Sequence, residues 1–322
     1  MSYYIVAPVL KSRSKNFNST SPLIVDMLTE MTKLPHCSRS WRGLVSDVFY
    51  DNKFFTTSAS SQWKYLVNAL MSTDKDKFAD LVSRVSSAPS TNIFANREYE
   101  SLTRALNLRR LSFAIYAGDP GSYMSQLTIV KEKLVEVVRN NAITPISQAE
   151  VYLCLRVLLI RFKSDNLTMF WPIVITELLR LFEIIKSAPT SEHSDLLSLL
   201  LSACKFLDTL LVLQNEDFQV YQSLFITDTV DASAIGDHQG GIIDQISQLF
   251  GNQEKFDGQF SPQLENTQRQ PLLLNVKRIE SVQDLQPFFS CVSHVTFNNV
   301  IDKQEVDWKL LDRTIGGDFF DE

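Results

Sequence analysis

Glu150–Leu213 reads EVYLCLRVLLIRFKSDNLTMFWPIVITELLRLFEIIKSAPTSEHSDLLSLLLSACKFLDTLLVL, and the fold turns on this stretch. It holds three strongly apolar segments, Val151–Phe162, Thr168–Ile185 and Asp195–Leu213, parted by two short polar breaks. In Val151–Phe162 only Arg156 and Arg161 interrupt the apolar residues, so a helix there is greasy almost all round and has to be enclosed by neighbours. The breaks carry helix punctuation. Lys163-Ser164-Asp165-Asn166 is a polar turn, and Ser187-Ala188-Pro189-Thr190-Ser191 holds a proline among small polar residues. Three antiparallel core helices with short connections are therefore expected.

Toward the N terminus the helical spacing recurs. Ser21-Pro22 supplies an N-cap and a first-turn proline ahead of Leu23, Ile24, Met27, Leu28 and Met31, and Pro35 should end that helix. A helix after Ser40 would bury Trp41, Leu44, Val45, Val48 and Phe49, and one after Ser60 would bury Trp63, Leu66, Val67, Leu70 and Met71. Thr73 and Asp74 could cap a shorter one with Phe78, Leu81, Val82 and Val85 inward. After a linker-like break around Pro89 come the long segment Arg97–Tyr116 and a helix from Ser122 with Leu127, Val130, Leu134, Val137 and Val138 on one face. Helix starts pair at intervals of roughly 35–50 residues, close to the period of two-helix solenoid repeats. The fold class is therefore all-α, an irregular HEAT/ARM-like helical-repeat array over residues 1–226 inferred from spacing, with an irregular bundle as the alternative.

Beyond Leu213 the pattern changes. Glu216–Ile226 suits one more short helix, but residues 227–270 are polar and acidic and are expected to form a flexible insertion. Within it Ile242, Ile243, Ile246, Leu249 and Phe250 fall on one helical face between Gly241 and Gly251, which reads as a short helix for docking a partner. Order should resume at Pro271-Leu272-Leu273-Leu274 and at Ser281–Val292, where Ser281 and Asp284 match a capping box. Residues 271–322 are expected to pack back on the body and end in an acidic tail around Leu310, Leu311, Phe319 and Phe320.

A chain of 322 residues that is 44% hydrophobic can fill a sizeable core. Its net charge of −6 is unevenly spread: residues 1–213 carry +5, residues 214–270 carry −7 and residues 271–322 carry −4. A mildly basic body with acidic later parts argues against nucleic acid, whose phosphates need a concentrated basic surface, and leaves anionic lipid open for one face. Cys37, Cys154, Cys204 and Cys291 are widely spaced with no Cys-x-x-Cys pair, and no secretory leader is read. That favours a reducing compartment over a zinc site or disulfide frame. A bilayer span needs about 20 predominantly apolar residues. Val151–Phe162 is too short, Thr168–Ile185 contains Glu177, Arg180 and Glu183, and Asp195–Leu213 contains Lys205 and Asp208, so any membrane association is expected to be peripheral.

Several stretches are similar to the Dopey family of large cytosolic proteins of the Golgi and endosomes. They are Leu108-Arg109-Arg110-Leu111-Ser112-Phe113 with Gly118-Asp119, Val151-Tyr152-Leu153-Cys154-Leu155-Arg156-Val157-Leu158-Leu159, Leu167 through Phe182 with Trp171-Pro172 and Thr176-Glu177-Leu178, Ala203-Cys204-Lys205-Phe206-Leu207-Asp208, and Phe218-Gln219-Val220-Tyr221. Together they span about residues 100–226 and resemble the C-terminal region of that family, whose members are several times longer. The resemblance implies a fragment of a longer protein that acts at the cytosolic face of Golgi and endosomal membranes. It further implies a scaffold working with a large exchange-factor-like HEAT-repeat partner and an aminophospholipid flippase, with animal members linking organelles to kinesin. It implies no catalytic residue.

The residues themselves give catalysis no support. His36, His193, His238 and His294 sit apart, and no nucleophile elbow, zincin helix or phosphate-loop lysine occurs, so we assign no catalytic, metal or cofactor residue and expect no enzyme. Gly236-Asp237-His238-Gln239-Gly240-Gly241 lacks the strand before and the Lys-Ser/Thr after that a phosphate cradle needs. Arg156 would be costly to bury without an acceptor, and Glu177 on the next helix is the expected partner in a structural ion pair. Arg97, Arg104, Arg109, Arg110, Lys131, Lys133 and Arg139 are candidates for a phosphoinositide-binding face, diluted by Glu98, Glu100, Glu132 and Glu136. Leu196, Leu200, Ala203, Leu207 and Leu210 follow a coiled-coil seam, which raises a homodimer, although leucines off the seam point to burial within the array.

Overall fold

The computed structural model describes residues 21–56, 60–86, 97–140, 143–187, 194–227, 240–250 and 268–320. Among them are thirteen α-helices and a single pair of two-residue strands, so the protein is all-α, an irregular helical-repeat array. The helices are α1 (Ser21–Thr32), α2 (Ser38–Phe49), α3 (Ser60–Thr73), α4 (Lys75–Ser86), α5 (Arg97–Ala117), α6 (Leu127–Arg139) and α7 (Pro145–Arg161). They continue as α8 (Trp171–Ser187), α9 (Ser194–Leu213), α10 (Glu216–Phe225), α11 (Ile242–Phe250), α12 (Gln286–Ile301) and α13 (Trp308–Gly317). The chain divides into two compact units, Met1–Lys133 with Gly316–Glu322, and Leu134–Ile315.

In the first unit the periodic apolar residues of α3 and α4 go where their spacing sends them, whereas Leu23 of α1 is 66% exposed and Val48 of α2, expected inside, is half-buried. Trp63, Leu66, Val67, Leu70 and Met71 of α3 are all buried, as are Phe78, Leu81, Val82 and Val85 of α4. α3 packs against α1, α2, α4 and α5. The core is aromatic: Phe54 makes edge contacts with Phe49, Phe55, Trp63 and Phe113 at centroid distances of 5.2, 4.9, 5.3 and 5.7 Å. Phe319 and Phe320 join that cluster, 5.2 and 5.8 Å from Phe113, so the last apolar pair of the sequence is buried rather than exposed. Such edge-to-face pairs add about 0.5–1.5 kcal/mol each beyond area burial.

The second unit is built on α7 and α9. Every residue from Ala149 to Leu159 is buried, and so is every residue from Ala203 to Val212, because these two helices pack on one another more extensively than any other pair. α9 is long and apolar enough to cross a membrane by length and composition, yet 78% of that window is buried inside the protein, which makes it a core helix. The leucine seam is spent there too: Leu200, Ala203, Leu207 and Leu210 are buried and Leu196 is half-buried. α8 starts at Trp171, later than the periodicity suggests, because a 3-10 turn, Thr168–Phe170, comes first and Pro172 then occupies the first helical turn. Gln214, in the left-handed region at φ 49°, ends α9, and the Asn215 side chain at once caps α10 by accepting the Phe218 N–H at 3.2 Å.

The later part of the unit contains β1 (Gln268–Arg269) and β2 (Glu305–Val306), paired in parallel with Gln268 opposite Glu305 and Arg269 opposite Val306. Ser281 and Asp284 form a capping box, here at a 3-10 turn, Val282–Leu285, that leads into α12. Of the expected acidic insertion 227–270, residues 228–239 and 251–267 lie outside the described residues, as do most of the glycine-rich 236–241 loop and His193.

Candidate functional site

The cationic candidates separate by what each side chain touches. Arg110 on α5 is only 4% exposed. Its Nε donates to the Phe49 carbonyl at 3.2 Å, and its Nη2 donates to the carbonyls of Tyr50 and Asp51 at 2.9 and 3.2 Å. Its Nη1 donates to Asn107 Oδ1 at 3.1 Å. The Phe49 and Tyr50 carbonyls close the C-terminal end of α2, where a helix leaves such groups without partners of its own. Arg110 is thus a structural cap, and its place in a lipid-binding face is corrected: a guanidinium enclosed in this way cannot reach a phosphate. Burial also lowers its pKa from the usual arginine value.

Arg109 is half-buried and lies over the Phe55 ring, 5.7 Å from its centroid. Arg104, Lys131 and Lys133 are half-buried, and Arg139 is exposed. The Arg97 side chain lies outside the described residues.

In the second unit, the expected Arg156–Glu177 ion pair is replaced by two other contacts. Glu177 accepts from Arg180 Nε on its own helix at 2.7 Å, whereas Arg156 points across to α9, where its Nε donates to Thr209 Oγ1 at 3.1 Å. Thr209 passes the interaction on by donating to the Lys205 carbonyl at 2.8 Å. The reason lies in the packing, since α7 is paired chiefly with α9. Asp208 lies in the same interior and accepts the Leu273 N–H at 2.8 Å, which ties the Pro271–Leu274 turn to α9. Burial pushes its carboxyl up to about 6, against the pull of the Leu273 and Leu272 amides, Arg156 and Lys205.

The helix read as a partner-docking element is docked on its own chain. Ile242, Ile243 and Ile246 of α11 are buried where it packs on α8 and α12, and half-buried Phe250 stacks on Phe289 with centroids 6.1 Å apart. Asp244 fixes it in place, accepting from Thr227 N–H and Oγ1 at 2.9 Å each and from Ser293 Oγ at 2.6 Å. Gly241 is required at its start, because a Cβ there would collide with the backbone of Phe225 and Ile226. Of the five residues only Leu249, 56% exposed, remains on the surface.

Two surface features of the second unit were not read from the sequence. One is a groove of about 430 Å³ between α10 and α12, lined by Gln214, Gln219, Gln222 and Ser223 from one side and by Phe297 and Val300 from the other. No charged side chain lines it, so it does not suit a phosphate. The other is an apolar stripe on α10. Val220 is 78% exposed and Leu224 46%, on the side of the helix away from buried Phe218 and Phe225. At its N-terminal end Asp217 Oδ2 accepts from Ser164 Oγ, Thr168 Oγ1 and Trp171 Nε1 at 2.9, 3.4 and 3.3 Å. This clamp holds the turn carrying Met169, 82% exposed, beside α10. The signal was present in the sequence, since apolar residues on both sides of a ten-residue helix cannot all face one core. Among the described residues no group of three or more His, Cys, Asp or Glu side chains is placed to hold a metal ion.

Among the described residues the fold is that of a helical-repeat protein, with Arg110, Arg156, Lys205 and Asp208 buried. The model of the DOP1 C-terminal family matches residues 1–301, and the chain belongs to that family, the Dopey family. Among similar proteins, Protein DOP1B of Xenopus laevis is 29% identical over 90% of this chain, and Protein pad-1 of Caenorhabditis elegans is 27% identical over 90% of it. Protein dop1 of Emericella nidulans is 29% identical over 71% of the chain. The chain spans only 14%, 12% and 13% of the length of these three relatives. No solved structure matches.

Proposed function

We propose that the chain is a non-enzymatic scaffold module of Golgi and endosome membrane traffic, acting at the cytosolic face of those membranes. Its exposed helix faces would bind the large exchange-factor-like HEAT-repeat partner of the family, and through the longer protein the aminophospholipid flippase. The observation that carries the reading is family membership across residues 1–301. The placement of the charges supports it: Arg110, Arg156, Lys205 and Asp208 are all buried, leaving helix surfaces for recognition.

The test is a pull-down of the purified exchange-factor-like partner by this chain, with liposome flotation of the same preparation alongside. Retention of the partner, with equal flotation on anionic and neutral vesicles, is the expected result. Failure to retain the partner, together with flotation selective for anionic vesicles, would replace the scaffold with a lipid-recognition module. The withdrawal of Arg110 from the surface weighs against that alternative.

A further inference from the structure

We propose that the stripe formed by Val220 and Leu224 of α10, with Met169 beside it, is a docking site for an amphipathic helix of a partner, one whose apolar face is edged by lysine or arginine. Met169 and Val220 are the two most exposed large apolar side chains among the described residues, at 82% and 78%. Their segments lie about fifty positions apart in sequence and are tied by the three hydrogen bonds converging on Asp217, which hold the Met169 turn at the N-terminal end of α10. Val220 and Leu224 are spaced i, i+4 on one helix face, the spacing at which a second helix lays its ridges. The same α10 turns its opposite side inward, with Phe218 and Phe225 fully buried and Trp171 6.3 Å from Phe218 beneath. The stripe is therefore mounted on packed structure, not on a mobile loop.

Charge selects the occupant. α10 has neither lysine nor arginine and its first turn carries Glu216 and Asp217, while exposed Lys163 and Asp165, ahead of the Met169 turn, cancel one another. An apolar stripe edged by carboxylates favours a cationic amphipathic helix, and it repels an anionic membrane. This inference rests on the scaffold reading only in supposing that the chain binds another polypeptide.

The probes are two synthetic helices of about 18 residues, long enough to be helical, with the same leucine face. One is edged by lysine and the other by glutamate, and both are titrated into the intact chain by fluorescence anisotropy. The lysine-edged helix should bind and the glutamate-edged one should not. Val220→Asp and Leu224→Asp should each weaken binding about tenfold or more, and Leu249→Asp, on the exposed side of α11, should leave it unchanged. Glu216→Lys should weaken the lysine-edged helix and admit the glutamate-edged one. Because Val220 and Leu224 are exposed, thermal melts of their variants should match the parent chain, which separates lost binding from lost folding.

Equal binding of both helices, or insensitivity to Val220→Asp, overturns the proposal. So does a sedimentation-detected dimer abolished by Val220→Asp, which would make a second copy the occupant. If the exchange-factor-like partner is retained but neither helix binds, the stripe fails while the scaffold reading stands. If the lysine-edged helix binds as expected but that partner is not retained, the reverse holds.

Discussion

Arg110 in the first unit and Arg156 in the second are almost equally buried, at 4% and 3% exposure, yet they are satisfied in different ways. Arg110 donates mainly to backbone carbonyls at the end of α2, whereas Arg156 donates to a threonine side chain on α9 and shares its interior with Asp208 and Lys205. The first arrangement closes a helix end that water would otherwise have to solvate. The other links two helices that are already held by apolar packing. Removing the cation should therefore open a helix end at Arg110 and loosen a helix pair at Arg156, which is the more conspicuous of the two in sequence because it is set within an apolar run.

That contrast can be broken by experiment. Arg110→Leu strands the carbonyls of Phe49 and Tyr50, while the Asp51 carbonyl keeps the Phe54 N–H at 3.1 Å, and at about 1–3 kcal/mol per buried group left unpaired the loss should be roughly 4 kcal/mol. A denaturant titration showing a loss below about 1 kcal/mol would mean that water replaces the guanidinium there.

Asp208 supplies the next effect, and it depends on pH. Its carboxyl titrates near 6 in the folded chain against an ordinary value of 3.8, so the folded state holds the proton more tightly than the unfolded state. This group's contribution to stability is full below pH 3.8 and is lost as pH rises through 6, a change of up to about 3 kcal/mol. Asp208→Asn keeps an oxygen to accept the Leu273 N–H but cannot ionise. Its stability relative to the parent should rise across that window, and a difference that stays flat with pH would show that Asp208 is not buried as charge.

Arg156→Leu should lower stability by roughly 2 kcal/mol, since Thr209 loses its donor, while binding at the surface is unchanged. An unaltered thermal melt would count against the interior role.

The legibility of these features in the sequence follows from their range. Trp63, Leu66, Val67, Leu70 and Met71 could be read as a buried face because helical periodicity is local, and the same holds for Val151–Phe162. Arg156 stood out because it interrupts an apolar run, but its partner depends on which neighbour α7 packs against, and that is settled by contacts some fifty positions away. Arg110 sits in a mixed helix beside Arg109, where local pattern does not separate a cap from a solvated cation, because its acceptors are backbone groups about sixty positions earlier. α11 shows the same limit from the apolar side. Its single greasy face was legible, but not that α8 and α12 of the same chain would cover it. The surface stripe is hard to read for a related reason: Val220 and Leu224 look locally like part of an ordinary short helix, and the Met169 turn is tied to that helix only through Asp217.

The central claim is that the interior is architecture and that recognition belongs to exposed helix faces. Hydrogen exchange of the chain with and without the purified exchange-factor-like partner tests it most directly. Amides of α10 and the Met169 turn should gain protection, while those of α7 and α9, enclosed in the core, should exchange as slowly as before. Unchanged exchange throughout, or changes confined to α7 and α9, would contradict it.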